Sequence, residues 1–157
     1  MAGLIWTLAL VVLDQKLKAY AVAELKNTGG AQLLPGVLRL SYVENRGMAF
    51  GLLQDARTFF LITTILVFCL FCLAFHAIPE KKRFAPLSAG IVLLMAGALG
   101  NFIDRLRLGY VVDFLQLEFI DFPVFNLADC YLTWTGFMLF FLLLFYYKNE
   151  ELEQIHL

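Results

Sequence analysis

Residues 58–78 read TFFLITTILVFCLFCLAFHAI, a stretch without a single Asp, Glu, Lys or Arg. A hydrocarbon core about 30 Å thick takes roughly 20 apolar residues to cross as a helix, so this stretch predicts a transmembrane helix. Two others do the same: APLSAGIVLLMAGALGNFI at 85–103 and LADCYLTWTGFMLFFLLLFYY at 127–147, whose one charge is Asp129. A fourth run, 2–13, ends at Asp14 and spans only if its helix continues through DQKLKAYAV. Asp14, Lys16 and Lys18 cannot all sit at mid-bilayer, because a charge there costs about 2.5–3.5 kcal/mol and each Leu or Ile returns only about 0.3–0.6.

Composition points the same way. Hydrophobic residues are 61% and charged residues 16% of the chain, against about 25% charged in an ordinary soluble domain. The net charge of -1 offers no footprint for nucleic acid. The expectation is an all-α membrane protein with four transmembrane helices at roughly 2–23, 58–78, 85–106 and 127–147. These form a single domain over 1–157, with a small β or loop element between the first and second helices. The first run reads as a retained helix rather than a cleaved signal peptide, since no Lys or Arg precedes it and three charges follow it before Ala19 and Ala21.

Four spans put the connection at about 21–57 and that at about 106–126 on one side, with both termini and the PEKKR turn (79–83) on the other. Lys81, Lys82 and Arg83 favour the cytoplasm for that turn, but Lys26, Arg39, Arg46 and Arg57 in the first connection oppose it. Within that connection, residues 33–43 (LLPGVLRLSYV) carry a Pro-Gly turn and partial alternation, which predict a short strand or ribbon. ENRGMAFGLLQDA, at 44–56, reads as a loop lying on the membrane.

Polar residues gather where the two connections meet the helices. Asp14 and Lys18, four apart, can pair on a helix, and such a pair could serve simply to admit Asp14 to the interface. Asn101, Asp104 and Arg105 share one helical face in GNFIDR. An Asp104 and Arg105 pair ending the span is one reading, and a site is the other. Gly109 suits a left-handed helix cap. Asp113 follows in the extended, apolar VVDF, where burial should raise its pKa. Asn126 is a good N-cap and Asp129 falls in the first turn, where the helix dipole favours an acid. Capping alone is one reading of Asp129, and an active-site acid is the other. Two carboxylates in such different settings are also how one site obtains both acid and base. Cys69 and Cys72 read as packing residues, and Cys130 has no nearby histidine in sequence to activate it.

Taken together, DQKLK (14–18), NRGMAFG (45–51), GNFIDR (100–105), VVDF (111–114) and FNLAD (125–129) resemble, in order, the motifs of the lipoprotein signal peptidases, or signal peptidase II. The resemblance implies an aspartyl endopeptidase of the bacterial cytoplasmic membrane, with both termini cytoplasmic, the β or loop element extracytoplasmic and the site at the outer leaflet. Its substrate would be a diacylglyceryl-modified prolipoprotein, cut before the lipidated cysteine. Asp113 and Asp129 take the catalytic roles by match. Asp14, Lys18, Asn45, Gly47, Asn101, Asp104, Arg105, Asn126 and Ala128 fall on the family's other recurrent positions. No metal or organic cofactor is implied. The expected partners are the lipidated substrate and membrane lipids, with the protein a monomer. Two alternatives stand beside it: a small proton- or ion-coupled transporter, which usually holds its acids near the midplane, and a metal enzyme using Asp104, Asp113 and Asp129 as oxygen ligands.

Overall fold

In the computed structural model, which describes residues 2–47 and 56–155, the apolar runs are helices and the connections between them build a sheet. Helix α1 covers Ala2–Glu24, α2 Arg57–Ala77, α3 Ala85–Arg107 and α4 Leu127–Phe141, the last continuing through a π turn at Leu142–Tyr146. A short helix, α5, follows at Asn149–Leu152. Strand β1 is Ala31–Leu34, β2 Leu38–Asn45 and β3 Val111–Leu117.

Helix α3 is the hub, packing against α1, α2 and α4. Its small residues permit this. A Cβ on Gly97 would lie 2.7 Å from the Ala128 carbonyl oxygen, and one on Gly100 would lie 2.6 Å from Asp14 Oδ2. Among the described residues, three helices are long and apolar enough to cross a membrane: Arg57–Ala77, Lys82–Arg107 (the turn preceding α3 included) and Leu127–Tyr146. Helix α1 has the length, about 34 Å for 23 residues, and it runs unbroken through DQKLKAYAV. Its buried residues are Thr7, Val11, Asp14, Lys18 and Ala21, while Leu4, Ile5, Leu8, Val12 and Leu13 are exposed. The polar stripe faces inward and the apolar face outward.

The sheet corrects the expectation of an all-α protein with one β element in the first connection. Ribbon β1–β2 forms there as expected, but β2 also pairs antiparallel with β3, which comes from the connection between α3 and α4. Val43 pairs with Asp113, and Asn45 with Val111. Residues 111–114 are all buried, with Val112 and Phe114 packed on Ala21 and Leu25 at the end of α1. A strand covered on both faces shows no alternation to read. The loop expected on the membrane, 44–56, falls mostly outside the described residues.

At the opposite end, Ile78, Phe84, Leu87, Ile91, Met95 and Tyr147 form a second core, against which Leu152 and Ile155 of the tail pack. Arg83 forms a bidentate pair with Glu151, 2.7 and 3.0 Å. Cys72 packs on this core, whereas Cys69 faces outward, contrary to its reading as a packing residue.

Candidate active site

Pro123 and the bridge between Leu115 and Phe125 turn the chain from β3 into α4, so Asp113 on the strand and Asp129 in the helix's first turn come to one place. The helix start is locked by its own side chains. Asn126 is extended at the N-cap and its side chain accepts from the Asp129 N–H at 3.0 Å; the Asp129 carboxylate accepts from the Asn126 N–H at 3.1 Å. This reciprocal box satisfies two N–H groups that the helix cannot. Capping, one of the two readings of Asp129, is therefore present, and it uses only one carboxylate oxygen.

The other oxygen faces the site. Asn101 Nδ2 donates to Asp129 Oδ1 at 2.8 Å, Asn126 Nδ2 donates to Asn101 Oδ1 at 3.1 Å, and the same Asn126 group donates to Asp113 Oδ1 at 2.6 Å. Asn45, held beside β3 by the sheet, donates to Asp113 Oδ2 at 2.9 Å. The two carboxylates are thus joined through two asparagines, with a third on the far side. Asp113 is 1% exposed. Burial, and after it the negative charge of Asp129, raise its pKa to about 7, against the opposing hydrogen bonds of Asn45 and Asn126 and the charge of Lys18.

Behind this pair lies a brace. Lys18 Nζ contacts Asp14 Oδ2 at 3.0 Å, Asp104 Oδ2 at 3.0 Å and Asn101 Oδ1 at 2.9 Å. An ammonium has three N–H groups, and each has its acceptor. Asp14 Oδ1 accepts from the Ala128 N–H at 3.0 Å, and Asp104 Oδ2 from the Val112 N–H at 3.1 Å. Asp14 thereby ties α1 to the start of α4, and Asp104 ties α3 to β3. Asp104 pairs with Lys18 across helices rather than with Arg105, so the Asp104–Arg105 pair read as ending the span does not form. Ala128 is fully buried, and its Cβ would lie 3.1 Å from one on Gly100. A larger side chain there would push α4 off α3.

Arg105 and Gly47 stand at the edge. The Arg105 guanidinium donates to the Gly47 carbonyl at 3.2 Å and lies over the Phe60 ring at 4.4 Å, while the Gly47 N–H donates to Asn45 Oδ1 at 3.0 Å. These contacts hold the end of β2, and with it Asn45. All eleven residues singled out from the sequence therefore fall in one connected region. Sequence reasoning passed over Gln15, whose amide donates to Asp104 Oδ1 at 2.9 Å and to the Gly100 carbonyl at 3.2 Å. Its position inside DQKLK, between two residues already chosen, was the available signal. Also passed over was a groove of about 380 Å³ that opens beside Asp129, walled by Phe122, Phe125, Trp134 and Phe137. Cys130, Thr133, Trp134 and Phe137 recur at helical spacing on α4, and that stripe was legible.

The arrangement can hold one carboxyl protonated beside another in a mostly apolar setting, which is what acid and base catalysis at a carbonyl requires. It does not collect Asp104 with Asp113 and Asp129 as one ligand set, because the oxygens of Asp104 are occupied by Lys18, Gln15 and the Val112 N–H. Nor do the acids sit at mid-helix, where a transporter would hold them: one is on a strand and the other in a first turn.

Comparison with known proteins agrees. The sequence pattern of the family described as Signal peptidase (SPase) II matches residues 6–145. The lipoprotein signal peptidase of Streptococcus thermophilus (strain CNRZ 1066) is 43% identical over 142 residues, 90% of this chain and 91% of that one. The lipoprotein signal peptidase of Streptococcus pyogenes serotype M1 is 41% identical over 144 residues, 90% of each. Two solved structures described as bacterial membrane enzymes superpose with TM-scores of 0.82 and 0.81 at 34% and 33% identity. The first covers 91% of this chain and 87% of its own, the second 93% and 94%. A match over nearly the whole length, carried by a chain whose quoted motifs fold into one buried acid site, leaves the transporter alternative without support: the chain belongs to the signal peptidase II family, a family of peptidases.

Proposed function

We propose that the protein is a membrane-embedded aspartyl endopeptidase that removes the signal peptide from diacylglyceryl-modified bacterial prolipoproteins, cutting before the lipidated cysteine. One observation carries the reading: Asp113 and Asp129, from different elements, are bridged by Asn126 and Asn101 beside an apolar groove.

Asp129 acts as the base and takes a proton from a water molecule. Asp113, protonated up to about pH 7, donates a hydrogen bond to the scissile carbonyl oxygen as the water oxygen bonds to carbon. Collapse of the tetrahedral intermediate breaks the C–N bond, and the proton held by Asp129 passes to the leaving nitrogen. Asn45, Asn101 and Asn126 keep the carboxylates oriented. The brace of Asp14, Lys18 and Asp104, together with Ala128, positions the elements that carry them, and Arg105 and Gly47 hold the rim. The groove walled by Phe122, Phe125, Trp134 and Phe137 offers apolar surface for substrate, where each buried CH₂ contributes about 0.8 kcal/mol.

We place α1 as a fourth span, the termini and the PEKKR turn in the cytoplasm, and the sheet with the acid pair at the outer leaflet of the bacterial cytoplasmic membrane. The protein acts as a monomeric single domain. Support comes from the inward polar stripe of α1, from the gathering of both long connections at one end, and from Lys81, Lys82 and Arg83 at the other.

The test is cleavage of a diacylglyceryl-modified prolipoprotein by the purified protein. Asp113→Asn and Asp129→Asn each abolish turnover while the protein stays folded, the unlipidated precursor is not cut, and a chelator leaves the rate unchanged. Full activity in either variant removes that residue from the pair, and inhibition by chelator revives the metal alternative.

A further inference from the structure

We propose that a groove at the end of the molecule opposite the acid pair binds one anionic glycerophospholipid of the surrounding bilayer, its phosphate on Lys81 and Lys82 and an acyl chain between α1 and α3. The groove has a volume of about 600 Å³, within the range of ligand-sized clefts. Trp6 and Leu10 on α1, Val92 and Leu93 on α3 and Phe75 at the end of α2 line it. Gly3 bounds it beside Phe75, whose ring would have to shift for a Cβ there, 2.5 Å away.

The mouth is charged. Glu80, Lys81 and Lys82 stand at it. The neighbouring Arg83 is committed to Glu151 at 2.7 Å, whereas Lys81 donates to the neutral Gln154 amide oxygen at 2.6 Å. Among the described residues neither Lys81 nor Lys82 forms an ion pair with a carboxylate. Two cations and one acid leave a net positive charge at the end of a membrane helix, the depth at which lipid phosphates lie. On the same face of α1, Trp6, Leu13 and Leu17 are exposed and continue the apolar walls along the helix. A free phosphate ion would gain nothing from those walls, and a zwitterionic lipid would gain little from the mouth. An anionic lipid uses both.

Binding here needs α1 in the membrane but not the peptidase chemistry, so lipid retention and proteolysis fail independently. The full-length protein in detergent is incubated with equal amounts of phosphatidylglycerol and phosphatidylcholine of identical acyl chains, and retained lipid is counted by native mass spectrometry. One net charge at the surface gives a preference of about fivefold for phosphatidylglycerol. Glu80→Gln raises that preference, Lys81→Gln with Lys82→Gln reverses it, and Ala89→Phe, which fills the groove from an exposed position on α3, lowers retention of both lipids. Equal retention by the wild type, or an unchanged preference in the double lysine variant, overturns the headgroup site. Undiminished retention by an Ala89→Phe protein that still cleaves substrate overturns the groove.

Discussion

Loss of Lys18 should cost the fold heavily. Its ammonium meets Asp14, Asp104 and Asn101 within 3.0 Å, and it is 2% exposed. Lys18→Met would leave two buried carboxylates without their cation, and breaking a buried pair from one side costs about 3–5 kcal/mol. Lys18→Arg is no rescue, because a planar fork does not place its donors on three converging acceptors. Thermal unfolding in detergent should show both variants strongly destabilised, with Lys18→Met the worse. Asp113 makes a prediction of opposite sign. Its carboxyl titrates at about 7 in the folded protein, raised from 3.8. Between roughly pH 4 and pH 7 the unfolded chain gives up this proton while the folded chain keeps it. Stability therefore falls across that window by about 1.4 kcal/mol per pH unit, and the fall stops above it. Asp113→Asn lacks that slope, so the stability of the wild type minus that of the variant should decline from pH 4 to pH 7 and then level off. A flat difference would mean that the carboxyl is not buried as described. In Asp129→Asn the repelling charge is gone, and the infrared band of the protonated Asp113 carboxyl should disappear at lower pH than in the wild type.

Among the elements, α3 sets how closely the others approach. A methyl on Gly100 would fall 2.6 Å from Asp14 Oδ2, and that carboxylate cannot retreat because it is held by Lys18 and the Ala128 N–H. Gly100→Ala should cost about 1–3 kcal/mol by overpacking and lower turnover, since it moves the start of α4. Gly136 in α4 has nothing within 4 Å of such a methyl, so Gly136→Ala should be neutral or stabilise by up to about 1 kcal/mol through helix propensity. Thermal inactivation of the two variants side by side separates packing from backbone freedom. The ends of elements were legible because their causes are local. Asn126 followed by Asp129 is a capping box within four residues, and Gly109, with φ 83°, sends its N–H back to the Arg105 carbonyl at 3.2 Å. The extended start of β3 was legible in VVDF, but its place in a sheet was not, because its partner β2 is distant in sequence and its cover comes from Ala21 and Leu25. The inward turn of Asp14 and Lys18 was half legible. Their spacing predicted the pair, but the partners Asp104 and Asn101 lie on another helix.

The molecule as a whole is a bundle with its polar groups inside and two unlike ends. At one end the sheet ties the connection after α1 to the connection after α3, and this tie, invisible to any local pattern, is what brings Asn45 to Asp113. At the other end Arg83 pairs with Glu151, and the tail covers the turn. Sequence charge left orientation open, because basic residues occur at both ends and the pair with Glu151 offsets one of those in the turn. The proposed outer-leaflet placement of the acid pair yields a direct prediction. In a protein with Cys69, Cys72 and Cys130 replaced, a cysteine at Asp121, exposed in the loop between β3 and α4, should react with a membrane-impermeant maleimide added to intact spheroplasts. One at Lys82, exposed in the turn before α3, should react only after permeabilisation. The reverse pattern would turn the protein over in the membrane and put the acid pair on the cytoplasmic side. Labelling of both from outside would mean that the chain between them, α3, does not cross. Since α3 carries Asn101, Asp104 and the glycines on which α1 and α4 seat, that result would remove the membrane from the architecture of the site.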